Sequence, residues 1–211
     1  MAEFTIVLGD RNTSSWSLRG WLALKQTGAP FEEIGVTFRD PGVKTHILAH
    51  SPSGMVPMLK HQIPDGDVMV WESLAIIEYL NELYPGAGLW PTERAARTTG
   101  RQRRNACRIF PLRRHMPMNL QDDKSGDAMG EGVAANIARI CDIWEDCLER
   151  FGGDGGYLFG AFTGADIMFA PVVTRFHAYG VDLPAPCQTY SDAVRARPDM
   201  AEWTTGAIAE D

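Results

Sequence analysis

Residues 51–80, SPSGMVPMLKHQIPDGDVMVWESLAIIEYL, decide the fold. Val56 to Lys60 and Val68 to Trp71 are short apolar, partly β-branched runs, and the Ile63-Pro64-Asp65-Gly66 turn between them makes the pair an antiparallel hairpin. A helix follows from Ser73 to Leu83. Pro57 stands at the mouth of the first of these strands, a position suited to a residue with no N–H to give to a ladder. A cis Val56–Pro57 bond there would turn the Val56 backbone outwards, where its N–H and C=O can pair with a peptide ligand as a short added strand does.

Upstream of the hairpin, Phe4 to Leu8 reads as a strand, and Ser17 to Gln26 as a helix with apolar Leu18, Trp21, Leu22 and Leu24, closed by Thr27-Gly28-Ala29-Pro30. Phe31 to Phe38 is a second strand, and Pro41 to His50 a short helical or irregular crossover. The order is β-α-β-α-β-β-α. A strand pair joined by a helical crossover is parallel and the hairpin adds antiparallel strands, so the sequence predicts an α/β, thioredoxin-like unit. Prolines and glycines in Tyr84-Pro85-Gly86-Ala87-Gly88-Leu89-Trp90-Pro91 end this pattern, and beyond residue 92 every long segment has helical spacing. Two domains are expected: residues 1–85, thioredoxin-like, and residues 92–211, an all-α helical bundle. Within the bundle Val133, Ile137, Ile140, Trp144 and Leu148 form one buried stripe. Ile167 to Tyr179 is apolar nearly all round and reads as the central helix, opened by Thr163-Gly164-Ala165-Asp166, close to a capping box with Asp in place of Glu or Gln.

Of 211 residues 45% are apolar and 22% charged, enough for a packed core and against wholesale disorder. The net charge of −7 opposes a general nucleic-acid binder. No apolar run approaches the ~20 residues of a membrane helix, and Glu3 stands where a signal peptide carries basic residues, so the cytosol is the expected compartment. Cys107, Cys141, Cys147 and Cys187 are too sparse for a disulfide framework and form no C-x-x-C, which predicts buried, reduced thiols.

Three features carry chemistry. Asn12-Thr13-Ser14-Ser15-Trp16-Ser17-Leu18-Arg19 places hydroxyls at the start of the first helix, where unpaired N–H groups and a partial positive charge favour an anion; an N-cap alone would use the same residues. The Ser53-Gly54-Met55-Val56-Pro57 turn offers exposed backbone. Glu72 and Ser73 put a carboxylate and a hydroxyl at another helix start, suited to an ammonium and a carboxyl group, the headgroup of an amino acid.

Together with Glu72-Ser73-Leu74-Ala75-Ile76-Ile77-Glu78-Tyr79-Leu80 and Phe162-Thr163-Gly164-Ala165-Asp166, these stretches resemble the glutathione S-transferase family over almost the whole chain. The Ser-Ser-x-Ser-x-Arg stretch is most similar to the zeta class and its bacterial relatives, whose members include maleylacetoacetate isomerases; Trp16 stands where that class usually has cysteine. The resemblance implies that Ser14, with Ser15 as the alternative, donates a hydrogen bond to the glutathione sulfur. It further implies that Val56 and Pro57 present the backbone to the cysteinyl unit, that Glu72 and Ser73 hold the γ-glutamyl group, and that Trp16 and Lys44 border the glutathione site, Lys44 towards the glycyl carboxylate. A free thiol of pKa ~8.5 is mostly protonated at neutral pH, and helix N–H groups with a hydroxyl donor stabilise the thiolate. The chain lacks a G-x-S-x-G elbow, so these serines do not read as nucleophiles.

Arg94, Arg97, Arg101, Arg104 and Arg108 share one helix face, and residues 92–124 carry nine basic against three acidic residues. A solvated or intersubunit face and an anion-preferring electrophile site both fit; on the second reading Arg104, Arg108 and Arg113 contact the second substrate. Phe110 to Asn119, with Pro111 and Pro117, is expected to interrupt this helix. His46 and His50 have a metal-compatible spacing but lack a third ligand, so no metal is expected. No cysteine lies near the N-terminus, which disfavours thiol–disulfide exchange. The expected activity is addition of glutathione thiolate to an electrophilic small molecule, by a homodimer as in the family. The alternatives are cis–trans isomerisation of a maleyl-type diacid, or a ligand-binding protein on the same scaffold.

Overall fold

The computed structural model describes residues 3–103, 110–127 and 130–210. Strands β1 (Phe4–Gly9), β2 (Phe31–Val36), β3 (Met58–His61) and β4 (Val68–Trp71) alternate with helices α1 (Ser15–Thr27), α2 (Val43–His50) and α3 (Ser73–Leu83) in the expected order. The sheet runs β2-β1-β3-β4. β1 and β2 are parallel and in register from Phe4 against Phe31, while β3 lies antiparallel to both β1 and β4. The second strand is shorter than expected, ending at Val36, where the Asp10 carboxylate takes the Phe38 N–H instead of a ladder partner. The Pro41–His50 crossover resolves into a helix from Val43.

Helices α4 (Arg94–Arg103), α5 (Phe110–His115), α6 (Val133–Cys147), α7 (Gly164–Ala178), α8 (Ala185–Arg195) and α9 (Pro198–Ala209) follow. Within the proline-bearing stretch Phe110–His115 is helical, and the helix ends just before Met116-Pro117, where a following proline disfavours the helical backbone. One buried cluster spans both halves, from Phe4, Ile6, Trp21 and Leu59 to Trp144, Phe169, Phe176 and Trp203. A smaller cluster of Val7, Val36, Ile47 and Met58 lies under α2. Buried Cys141, Cys147 and Cys187 are free thiols; Cys107 lies outside the described residues.

Helix α7 runs through the middle, buried from Gly164 to Phe176. Its start is a complete capping box: Asp166 accepts from the Thr163 N–H at 2.8 Å and from Thr163 Oγ1 at 3.0 Å, and Thr163 Oγ1 accepts from the Ala165 N–H. Asp166 also takes the Leu158 N–H at 3.2 Å. Gly164 is required by close approach, because a Cβ there would stand 2.8 Å from the Leu89 carbonyl oxygen of the segment joining the two halves.

Helix α1 is the element shared by both halves, packing on α3 on one side and on α7 and α9 on the other. On the sheet side Gly20 lets it sit against Pro57: a Cβ at Gly20 would lie 2.9 Å from Pro57 Cγ. Towards the bundle, buried Arg19 donates from Nε to the Met168 carbonyl at 3.0 Å, and Trp21 packs 5.3 Å from Trp203. The β1–α1 connection is tied down as well, with the Trp203 indole N–H on the Arg11 carbonyl and the Arg11 and Asn12 N–H groups on the Glu210 carboxylate.

Candidate functional site

A cleft of about 300 Å³ opens between the start of α1, the loop before β3 and the start of α3, lined by Trp16, Met55, Val56, Pro57, Glu72 and Ser73. Five of these six are residues singled out from the sequence. Met55 was not; its 59% exposure at the tip of the turn is a tertiary property, and the only sequence signal was its place beside Val56.

Each wall has a local cause. The Val56–Pro57 bond is cis. Among the described residues no turn or loop hydrogen bond engages the Val56 backbone, so its N–H and C=O remain open to a ligand. Lys44 reaches from α2 to donate to the Gly54 carbonyl at 3.1 Å, which places its ammonium at the turn carrying Met55 and Val56. Glu72 has φ +78, in the left-handed region, and turns the chain from β4 into α3 while its Oε2 accepts from the Leu74 and Ala75 N–H groups. The buried Ser73 hydroxyl has no protein partner, an arrangement that a ligand atom would complete.

At the start of α1, Ser14 is the N-cap, accepting from the Ser17 N–H at 3.3 Å and donating to Ser17 Oγ at 2.8 Å. Ser17 Oγ in turn takes the Gly9 N–H at 2.9 Å. Ser15, the first helical residue, points towards the bundle, where its Oγ accepts from Arg175 Nη2. Both serines are buried and lie beneath the cleft wall rather than among the residues that line it. Trp16 is flanked by two guanidinium groups, Arg19 at 4.6 Å and Arg113 of α5 at 5.1 Å from its ring centre.

Of the arginine stripe, Arg104 and Arg108 lie outside the described residues. Of the described members, Arg97 donates to the Pro91 and Thr92 carbonyls, and Arg101 makes a bidentate pair with Glu78 of α3 at 3.0 and 2.6 Å. Arg113, the described member of the three arginine candidates, lies over Trp16 at the cleft. Arg175 went unremarked in the sequence, although a lone cation inside an otherwise apolar helix was the signal. His46 meets Asp40 at 3.2 Å on the surface, and among the described residues no group of three His, Cys, Asp or Glu side chains is placed to hold a metal. Among them, too, no helix is long and apolar enough to cross a membrane.

The glutathione S-transferase N-terminal domain model matches residues 13–83, and the C-terminal domain model matches residues 127–206. Over 191 residues the chain is 34% identical to a maleylacetoacetate isomerase of Pseudomonas aeruginosa, covering 83% of this chain and 82% of that protein. The chain belongs to the glutathione S-transferase family. It is also 30% identical over 178 residues to glutathione S-transferase 1 of Dianthus caryophyllus, covering 82% of this chain and 77% of the other. Among solved structures, a Burkholderia glutathione transferase homolog with bound glutathione superposes with a TM-score of 0.72 at 24% identity, over 98% of this chain and 99% of that one. This likeness extends the thioredoxin-like plus helical-bundle fold across the whole transferase chain.

Proposed function

We propose that this glutathione S-transferase holds glutathione in the cleft of Trp16, Met55, Val56, Pro57, Glu72 and Ser73, and activates it as thiolate for addition to an electrophilic small molecule. The observation that carries the reading is the convergence of three elements on one cavity: an unpaired Val56 backbone, a Glu72 carboxylate beside an unsatisfied Ser73 hydroxyl, and the start of α1. Each matches one part of the tripeptide. Val56 pairs with the cysteinyl amide, Glu72 and Ser73 take the γ-glutamyl ammonium and carboxylate, and Lys44 lies on the side of the glycyl carboxylate. A hydroxyl at the start of α1, Ser14 or Ser15, with the helix N-terminus, supports the sulfur anion. Residues 1–85 form the glutathione-binding domain in this reading, and residues 92–211 supply the second substrate pocket. A cytosolic homodimer completes it, with the exposed Met69 and Trp71 of edge strand β4 as apolar surface for a partner.

Thiolate absorbance in the ultraviolet, followed against pH with glutathione bound, tests the reading. The expected bound-thiol pKa lies one or more units below the free value of ~8.5. No bound thiolate at neutral pH would reduce the protein to a carrier.

One observation favours a second reading of the same site. Arg113 stands over Trp16 at the cleft, and a relative 34% identical is named maleylacetoacetate isomerase, so an anionic diacid that uses glutathione transiently is the alternative substrate. On either reading Arg113→Gln is expected to raise KM for carboxylate-bearing electrophiles about tenfold, while leaving KM for neutral ones within twofold, as loss of one charge-assisted contact predicts. Equal effects on both substrate types would remove Arg113 from the pocket.

A further inference from the structure

We propose that Cys141 and Cys187 form a redox modification site: a hydroperoxide converts the two thiols into a disulfide that ties α6 to α8, and thiol reductants reverse it. This chemistry belongs to the helical half and is separate from the proposed transferase turnover. The pairing comes from the fold, because one cysteine lies in the middle of α6 and the other near the start of α8. Packing brings the two helices together at this level, with the Cys187 thiol reaching the Cys141 carbonyl at 3.7 Å. Three residues further along each helix, Trp144 packs edge-on against Tyr190 with ring centres 4.8 Å apart. The register that pairs the cysteines is therefore fixed by a second contact across the same two helices. Both helices also pack on α7, α6 by placing Trp144 against Phe169 and Phe176. A disulfide tolerates only short Cα separations, and these close-packed helices meet that need with little movement.

The two thiols are not equivalent. Cys141 is 5% exposed, whereas Cys187 is wholly buried. A hydrogen bond from Cys187 holds the Cys141 thiol below its usual pKa, against burial and the Glu145 and Asp142 carboxylates, and the same bond pushes Cys187 up. Cys141 is therefore the sulfur that reacts first, and Cys187 resolves it. Cys147, also on α6, is the contrast: it is wholly buried and pushed up to about 11 by burial and the Asp146 carboxylate, so it stays a protonated thiol. Burial of the pair restricts the oxidant to one as small as hydrogen peroxide. The Cys141 thiolate attacks one peroxide oxygen, the O–O bond breaks, and the departing hydroxide takes up the proton that the thiol gave up, leaving a sulfenic acid. The Cys187 sulfur then attacks that sulfur, the S–S bond forms, and the sulfenic hydroxyl leaves with the Cys187 proton as water. Two thiols and one peroxide thus give one disulfide and two waters. In reverse, two reductant thiols become a disulfide while both cysteines regain their protons.

The test exposes the reduced, folded wild type to a slight molar excess of hydrogen peroxide, alkylates the remaining thiols, and maps tryptic peptides by mass spectrometry without reduction. The expected product joins the peptide Ile140–Arg150 to Phe176–Arg195 and is lighter by two hydrogens than its two parts. Fragmentation should place the bond at Cys141 and Cys187, and dithiothreitol should return both thiols. Cys187→Ala is expected to stop at one added oxygen on Cys141. Cys141→Ala should slow the oxidation of Cys187 about tenfold or more, because the reacting thiolate is gone. Cys147→Ala should cross-link as the wild type does. Full alkylation of Cys141 and Cys187 after an exposure that oxidises free cysteine completely overturns the proposal. So does a bond from Cys147 or Cys107 in place of this pair, or one between two chains. The wild-type map carries the decision, so it stands even if a variant fails to fold.

Discussion

Asp166→Ala is expected to cost about 3–5 kcal/mol of folding stability at neutral pH, the range for breaking a buried hydrogen-bonded charge network. The carboxylate is fully buried and takes the Thr163 and Leu158 N–H groups and the Thr163 hydroxyl. Alanine leaves these donors without an acceptor inside the core, and the central helix α7 loses its cap. For a chain of this size the loss corresponds to a fall in melting temperature of about 10 °C. Asp166 also gives stability a pH dependence of definite sign. Burial raises its pKa from 3.8 to about 6, against the hydrogen bonds that lower it. The folded state therefore binds the proton more tightly than the unfolded chain, so this contribution is fully present below about pH 3.8 and is lost as pH rises through about 6. Denaturant unfolding of the wild type and of Asp166→Asn across pH 4 to 7.5 should show the wild type losing about 3 kcal/mol relative to the variant over that interval, then running parallel to it. Parallel curves throughout would mean that Asp166 keeps an ordinary acidity in the core.

Glu72→Gln is the second large change expected, and it acts on binding. In the proposed site the ammonium of the γ-glutamyl group meets a carboxylate already held by the Leu74 and Ala75 N–H groups. Glutamine preserves the acceptor for α3 and the positive-φ backbone, so the melting temperature should change little. The ion pair with the ligand is lost, which weakens glutathione by about 10–100-fold, the cost of removing one partner from a charge-assisted contact. Cysteinylglycine, which lacks the γ-glutamyl group, serves as the control: its affinity should be the same for both proteins. A matching loss with cysteinylglycine would show that Glu72 acts through the fold of the cleft rather than through the headgroup.

Much of this molecule is legible in its sequence. The hairpin of Val56–Lys60 and Val68–Trp71, the parallel pair of the first two strands and the helix from Ser73 follow from local turn chemistry and strand composition, and all are present. Boundaries moved by one to three residues where tertiary contacts competed, as at Phe38, whose N–H goes to Asp10. The arginine stripe was legible as a helix face but not as a destination. Periodicity puts Arg97 and Arg101 on one side, and only packing shows that this side meets the interdomain carbonyls and Glu78. Arg113, outside the stripe, packs over Trp16 at 5.1 Å.

The sequence by itself determined the fold class, the family resemblance and the five residues Trp16, Val56, Pro57, Glu72 and Ser73 that meet in the cleft, because each sits at a strand mouth or helix start whose free backbone groups are a local property. Tertiary structure alone decided how the two serines are used. Ser14 and Ser15 are adjacent and chemically identical, and their difference comes from Ser17 and Gly9 on one side and from Arg175, 160 residues away, on the other. The direction of a hydroxyl proton is set by the donors that reach its oxygen, and a donor on a distant helix leaves no trace in the local sequence.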